Sequence, residues 1–379
     1  MNSFRDWLRQ QICASEERWL PFSEWMEASL YHPQWGYYMR PKKKIGKCGD
    51  YYTSSSVGTV FGAVLAEGLF GLLESLSAEE WVILELGGGD GRLACQILNA
   101  FQRYPSVYRK LTYFLLEKSP FHRQLQFQHL ISHKERIVYL DSLEQLQGVT
   151  GVILSNEFFD ALPVHILERH DGKWEEVGVT WNENTLCFEE ERRPCRNQRL
   201  LELLEELAIA AEEGGRVELS LAAVEWINQL ASVLEKGYLL TVDYGYLADG
   251  AASAAMPKGT LRGYRMHQIM TNPYLYPGEQ DLTADVNFSL LIEMGKKACL
   301  EPLLFESQRK FLLRLGILEE LVEGADDPFS AEARKNRAIR QLLLDETGMG
   351  ERFCVLLQGK NVFVPRVFRG LSRQVSFNI

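Results

Sequence analysis

The 379-residue chain has no run of 18 apolar residues, no C-x-x-C pair and no excess of positive charge. Without the first, no segment is expected to cross a membrane as a helix. Without the second, the seven cysteines (13, 48, 95, 187, 195, 299 and 354) are scattered and odd in number. That pattern argues against a disulfide framework or a metal site and suits reduced thiols in a cytoplasm. The formal net charge of −10 argues against a broad electrostatic grip on nucleic acid. The one basic run, Lys42 to Lys44 with Lys47, reads as a solvated loop. The N-terminus, MNSFRDWLRQQI, carries charge early and has no apolar stretch of the kind a signal peptide needs. Internal repeats are missing too. These absences describe a cytoplasmic protein with no membrane span. Hydrophobic residues make up 46%, enough for a full core in one large domain with insertions or two small ones.

What is present centres on WVILELGGGDGRLA, residues 81–94. A short apolar run reads as a buried strand. It breaks into Gly87-Gly88-Gly89-Asp90-Gly91 and resumes as a helix with Leu93, Ile97 and Ala100 on one face. A strand, a glycine turn and a helix suit a nucleoside at the carboxyl end of an open α/β sheet. Glu85 completes E-x-G-x-G-x-G, the spacing typical of S-adenosylmethionine (SAM) sites. The dinucleotide pattern G-x-G-x-x-G would need glycine at 92 and meets Arg92.

Residues before the turn read as mostly helical. Phe4, Trp7, Leu8 and Ile12 share one face, Ser23 is placed to cap a second helix, and a third runs over about 57–76. After the turn come strands at 111–116, ending at Glu117, at 137–140, followed by Asp141, and at 151–155, followed by Asn156. Ser119-Pro120 opens a helix between the first two of these. This βαβα rhythm implies a parallel sheet with right-handed crossovers. Residues 164–190 then read as a β-meander, followed by helices near 198–212 and 221–234. A strand at 238–242 ends at Asp243. Helices start near 288 and 308, and 353–358 with 362–368 read as a terminal hairpin.

The chemistry maps onto strand ends. Gly87, Gly89 and Gly91 let the backbone approach a ligand closely. Glu85 suits the ammonium of SAM, Glu117 both ribose hydroxyls, and Asp141 the neighbourhood of adenine. Asn156, Glu157 and Asp160 form an acceptor site beside Phe158 and Phe159. There the carboxylates orient a nucleophile and accept its proton, and the rings exclude water.

Several long motifs occur in one order: residues 22–27 with Leu30-Tyr31-His32-Pro33, Gly36-Tyr37-Tyr38, Gly49 to Ser54, Glu85 to Gly91, Asn156 to Val164, residues 243–246, 259–262 and 281–286. In these the chain resembles the MidA family of class I SAM-dependent methyltransferases. Mitochondrial members of that family are protein-arginine methyltransferases that assist respiratory complex I assembly. The resemblance implies an α/β, Rossmann-like fold: a seven-stranded sheet, an N-terminal helical cover and an inserted α+β subdomain. It divides the chain into a cover or lid (1–79), a SAM-binding half (80–163), a substrate-side insertion (164–236) and the rest of the sheet with extra helices (237–379). It also implies that Asp50, Thr53 and Ser54 close over SAM. Asn156 is expected to serve both cofactor and acceptor. The turn reads GGGDG where many relatives carry proline and arginine, and Tyr51 replaces a usual phenylalanine. These departures leave the cofactor groups in place and open the choice of substrate. The expected partner is a protein substrate, a respiratory-complex subunit among the candidates, and an oligomer is left open. Rival readings are a small-molecule methyltransferase, a nucleic-acid amino-methyltransferase and a SAM-binding assembly factor without catalysis.

Overall fold

A computed structural model describes residues 3–42, 44, 49–50, 58–248, 257–324, 327–344, 349–365 and 368. The chain divides into two compact units. One comprises Thr53–Phe158, Asn228–Tyr244 and Gly295–Ile379, and the other Met1–Tyr52, Phe159–Ile227 and Gly245–Met294. Residues 1–79 thus contribute to both.

The first unit is built on seven strands. They are β1 (Trp81–Leu86), β2 (Leu111–Leu116), β3 (Ile137–Leu140), β4 (Val149–Asn156), β5 (Leu234–Tyr246), β6 (Glu301–Ser307) and β7 (Phe353–Lys360). Their order across the sheet is β6-β7-β5-β4-β1-β2-β3. The strands from β3 to β5 pair in parallel, and β7 runs antiparallel to both of its neighbours. The central strands read as continuous apolar runs because helices cover both faces of a parallel sheet.

Helix α1 (Val60–Ser75) is almost wholly apolar and buries Phe61, Leu65, Leu69 and Leu72 in this unit's core. Helix α2 (Arg92–Phe101) adds Leu93, Ile97 and Phe101. Helix α3 (Pro120–His129) starts as the sequence suggests: Ser119 Oγ accepts the His122 amide at 3.3 Å, and Pro120 occupies the first turn.

One sequence expectation is corrected in this unit, and one strand lies where none was expected. Among the described residues no terminal hairpin forms: 362–365 and 368 carry no strand, and Phe353–Lys360 pairs instead with β5 and β6. Strand β6 went unseen: it carries glutamates at both flanks and a proline, and only its distant partner makes it a strand.

The second unit carries the meander. Strands Leu20–Pro21, Lys173–Asn182, His165–His170, Cys187–Pro194 and Arg216–Leu219 form an antiparallel sheet. Helices Phe4–Ala14 and Phe22–Tyr31 bury Leu8, Ile12, Trp25 and Leu30 in one core with Ile166, Val177, Val179 and Phe188. Ser23 does not cap the second helix, which starts at Phe22 behind Pro21. A small sheet joins Arg262–Arg265 to Gln268–Met270 and Asp281–Thr283. Gly245 and Tyr246, the last residues of β5, pair in parallel with Val286–Asn287. Counting that short strand, the large sheet has eight strands among the described residues, where seven were expected.

Candidate active site

At the carboxyl end of β1 the chain turns through five residues into α2. Gly87, Gly89 and Gly91 take φ values of +59°, +50° and +83°, a region where L side chains are strained. The turn is also crowded. A Cβ on Gly87 would sit 2.8 Å from the Phe158 ring, and one on Gly91 would sit 3.0 Å from Gln126 Cγ.

Glu117, one residue beyond β2, braces the turn from the side. Its Oε2 accepts the Gly89 amide at 3.1 Å and its Oε1 accepts the Ser119 amide at 2.8 Å. Glu85 lies beneath the turn, fully buried, and accepts the Tyr113 hydroxyl at 2.8 Å. Burial pushes the Glu85 carboxyl up to about 7, the Tyr113 bond opposes the rise, and the charges of Glu117 and Asp90 add to it. Buried Gln126 donates from Nε2 to the Gly89 carbonyl at 2.8 Å, while its Oε1 has no hydrogen-bond partner among the described residues. Asp141 is exposed after β3 and takes the Arg123 guanidinium at 2.6 Å. The same Arg123 donates through Nε to the Glu117 carbonyl at 2.7 Å, which ties the two strand ends together.

At the end of β4, Asn156 Nδ2 donates to Glu157 Oε1 at 3.3 Å, and Asn156 Oδ1 is buried without a hydrogen-bond partner among the described residues. Glu157 adopts φ +51°, rare for a residue with a side chain. Its amide donates to the Val242 carbonyl on β5 at 2.9 Å. The next amide, Phe158, donates to Asp243 Oδ2 at 3.2 Å.

The structure therefore gathers Glu85, the three glycines, Glu117, Asn156 and Glu157 around the ends of adjacent strands, with Asp141 attached through Arg123. Asp160 and Asp50 belong to the second unit, and Thr53 and Ser54 lie outside the described residues. Asp160 Oδ2 accepts the Thr283 hydroxyl at 3.1 Å, and its carbonyl accepts the Ala284 amide at 3.2 Å. Asp50 is buried and accepts Met266 N–H at 2.8 Å, Tyr37 Oη at 2.9 Å and Lys42 Nζ at 3.3 Å. Burial works to raise its carboxyl, but the Met266 and Tyr37 bonds and the Lys42 charge hold it below its usual value. In the same unit, burial pushes Asp281 up to about 8; Tyr38 opposes the rise with a 2.6 Å bond, and the charges of Asp160 and Asp50 add to it.

Sequence reasoning did not single out Tyr113, Gln126 or the Asp243–Phe158 contact. Asp243 was visible at a strand end, but no local signal marks its partner 85 residues away.

A family model described as "Putative S-adenosyl-L-methionine-dependent methyltransferase" matches residues 64–305, more than half of the chain. The chain belongs to this family. The methyltransferase is 30% identical over 366 residues to the mitochondrial protein arginine methyltransferase NDUFAF7 of Danio rerio, covering 87% of this chain and 81% of that protein. It is 28% identical over 369 residues to the NDUFAF7 homolog of Drosophila melanogaster, covering 89% and 80%. A crystal structure from Burkholderia thailandensis, bound to S-adenosyl-homocysteine (SAH), matches it with a TM-score of 0.88 at 28% identity, covering 97% of this chain and 94% of that one. The cofactor is SAM, and SAH is its product.

One expectation is overturned here. The matching relatives are named as mitochondrial, which conflicts with the cytoplasmic location read from the cysteines and the N-terminus. Among the described residues, no helix is long and apolar enough to cross a membrane.

The site residues fit the cofactor chemically. SAM carries an ammonium group, an amine on adenine and two ribose hydroxyls, all hydrogen-bond donors. Among the described residues, the buried oxygens of Gln126 and Asn156 are acceptors without a hydrogen-bond partner, and such groups call for one. Glu117 and Glu85 could hold the ribose and the ammonium.

Proposed function

We propose that this methyltransferase methylates an arginine side chain of a protein substrate, with Glu157 as the carboxylate that receives the acceptor. The observation that carries this reading is the left-handed turn after β4, which sets Glu157 beside Asn156 at the strand end. The relatives named as protein arginine methyltransferases support the substrate class. A respiratory-complex subunit is the candidate protein.

SAM supplies an electrophilic methyl group on a sulfonium. The chain's own task is to align a nitrogen with that carbon and to take up its proton. A guanidinium is planar and charged, so a carboxylate can grip it through two N–H groups. In this reading Glu157 holds the guanidinium, turns one nitrogen's lone pair outward and accepts the proton released as the nitrogen–carbon bond forms. Asn156 fixes the Glu157 carboxylate through its amide. Asp160 is the second carboxylate of the acceptor site, held by Thr283. Glu85, Gly87, Gly89, Gly91, Glu117 and Asp141 serve the cofactor within the 80–163 segment, and Asp50, Thr53 and Ser54 belong with it by motif. The 164–236 insertion serves the substrate.

The test is incubation with methyl-labelled SAM and a cell lysate, followed by mass spectrometry of the labelled band. Methylated arginine is the expected product. Label on lysine, on a carboxylate or on RNA would discard the arginine reading and keep the cofactor.

A further inference from the structure

Glu157 sits in a conformation that its own residue type disfavours, and neighbours on β5 hold it there. A side chain in the left-handed region persists only where the surroundings fix it. Two consecutive amides do so. The Glu157 amide extends the β4–β5 ladder by one bond, to the Val242 carbonyl at 2.9 Å. The Phe158 amide has turned away from the β5 backbone and instead finds the Asp243 side chain, with Oδ2 at 3.2 Å. Asp243 is fully buried, and its Oδ1 accepts the Tyr244 amide at 3.0 Å. The two oxygens therefore hold one amide of β5 and one of the turn after β4. The Phe158 ring lies against Gly87, so the same clamp sets how the acceptor turn meets the glycine turn.

We infer that Asp243 is a positioning residue for methyl transfer: its carboxylate clamps the Phe158 amide and thereby fixes Glu157 in its left-handed, acceptor-facing conformation. This rests on the reading of Glu157 as the acceptor carboxylate. In this reading Asp243 acts on the acceptor carboxylate through the turn. Replacing it by asparagine keeps its size but turns one acceptor oxygen into an N–H group, which cannot receive an amide. One clamp bond is then lost and Glu157 is free to leave its strained conformation.

The experiment is a double-mutant cycle of Asp243→Asn and Glu157→Gln. Methyl transfer from labelled SAM to lysate protein is read beside SAH affinity by calorimetry. Asp243→Asn is expected to lower the rate tenfold or more while SAH affinity stays within threefold of wild type. In the Glu157→Gln background the same change is expected to cost less than twofold, because the carboxylate it positions has gone. Should Asp243→Asn fail to bind SAH, Asp243→Ser, whose hydroxyl can still accept one amide, takes its place in the cycle. A wild-type rate for the Asp243 variant beside a crippled Glu157→Gln enzyme would overturn the inference alone. Losses that multiply in the double variant would overturn it as well. A wild-type rate for Glu157→Gln would instead overturn the acceptor reading on which it rests.

Discussion

The Tyr113 hydroxyl donates to the Glu85 carboxyl at 2.8 Å, inside a core where neither side chain reaches solvent. The pair joins β1 to β2 directly beneath the glycine turn. Because burial raises Glu85 to about 7, the folded protein keeps a proton that the unfolded chain releases near 4.5.

The sign of the resulting pH dependence follows. Between those two values the native state binds more protons than the unfolded one, so stability falls as pH rises. The contribution is fully present below 4.5 and lost as pH passes 7. Glu85→Gln removes it. The stability of Glu85→Gln relative to wild type, from denaturant unfolding, is expected to rise by roughly 2–3 kcal/mol between pH 5 and pH 8. A relative stability that does not change with pH would show that Glu85 is ionised throughout.

Asp281 behaves the same way over a wider range, from 3.8 to a folded value of about 8. Asp281→Asn is expected to melt within a few degrees of wild type at pH 6, where the native side chain is protonated and donates or accepts much as an amide does. At pH 9 the variant is expected to melt higher, since it carries no buried charge beside Asp160 and Asp50. Parallel melting curves at both pH values would contradict this.

The glycine turn makes a steric prediction. Gly89 has φ +50°, so Gly89→Val forces a β-branched side chain into the left-handed region and is expected to abolish SAH binding. Gly87→Ala adds a Cβ 2.8 Å from the Phe158 ring and is expected to weaken SAH at least tenfold. Calorimetric titration measures both, and wild-type affinity in either variant would move the cofactor elsewhere.

Glu117 braces Gly89 and Ser119 through both carboxylate oxygens. Hydrogen bonds to a charged group contribute about 1.5–3 kcal/mol each. Glu117→Ala is therefore expected to weaken SAH by tenfold to a thousandfold, and an unchanged dissociation constant would leave Glu117 as a strand-end acid only.

The legible parts of this protein are the local ones. Trp81–Leu86 reads as a strand because it is apolar and ends in glycines, and Glu85 and Glu117 stand out as acids closing such runs. Ser119-Pro120 announces its helix because capping needs only neighbours. The illegible parts depend on residues far apart in the chain. Residues 362–365 have a strand's composition but carry no strand, while Glu301–Ser307 has a poor composition and pairs with β7. The Asp50 carboxylate meets the Met266 amide across 216 residues, and Asp243 meets Phe158 across 85. No spacing rule reports such contacts, because the fold alone brings them together.

The central claim is that Glu157 serves the methyl acceptor and not the cofactor. The direct measurement compares Glu157→Gln with wild type in turnover with labelled SAM and in SAH affinity. The account predicts SAH affinity within a few-fold of wild type and a loss of about 100-fold or more in turnover. Near-normal turnover in Glu157→Gln would contradict it.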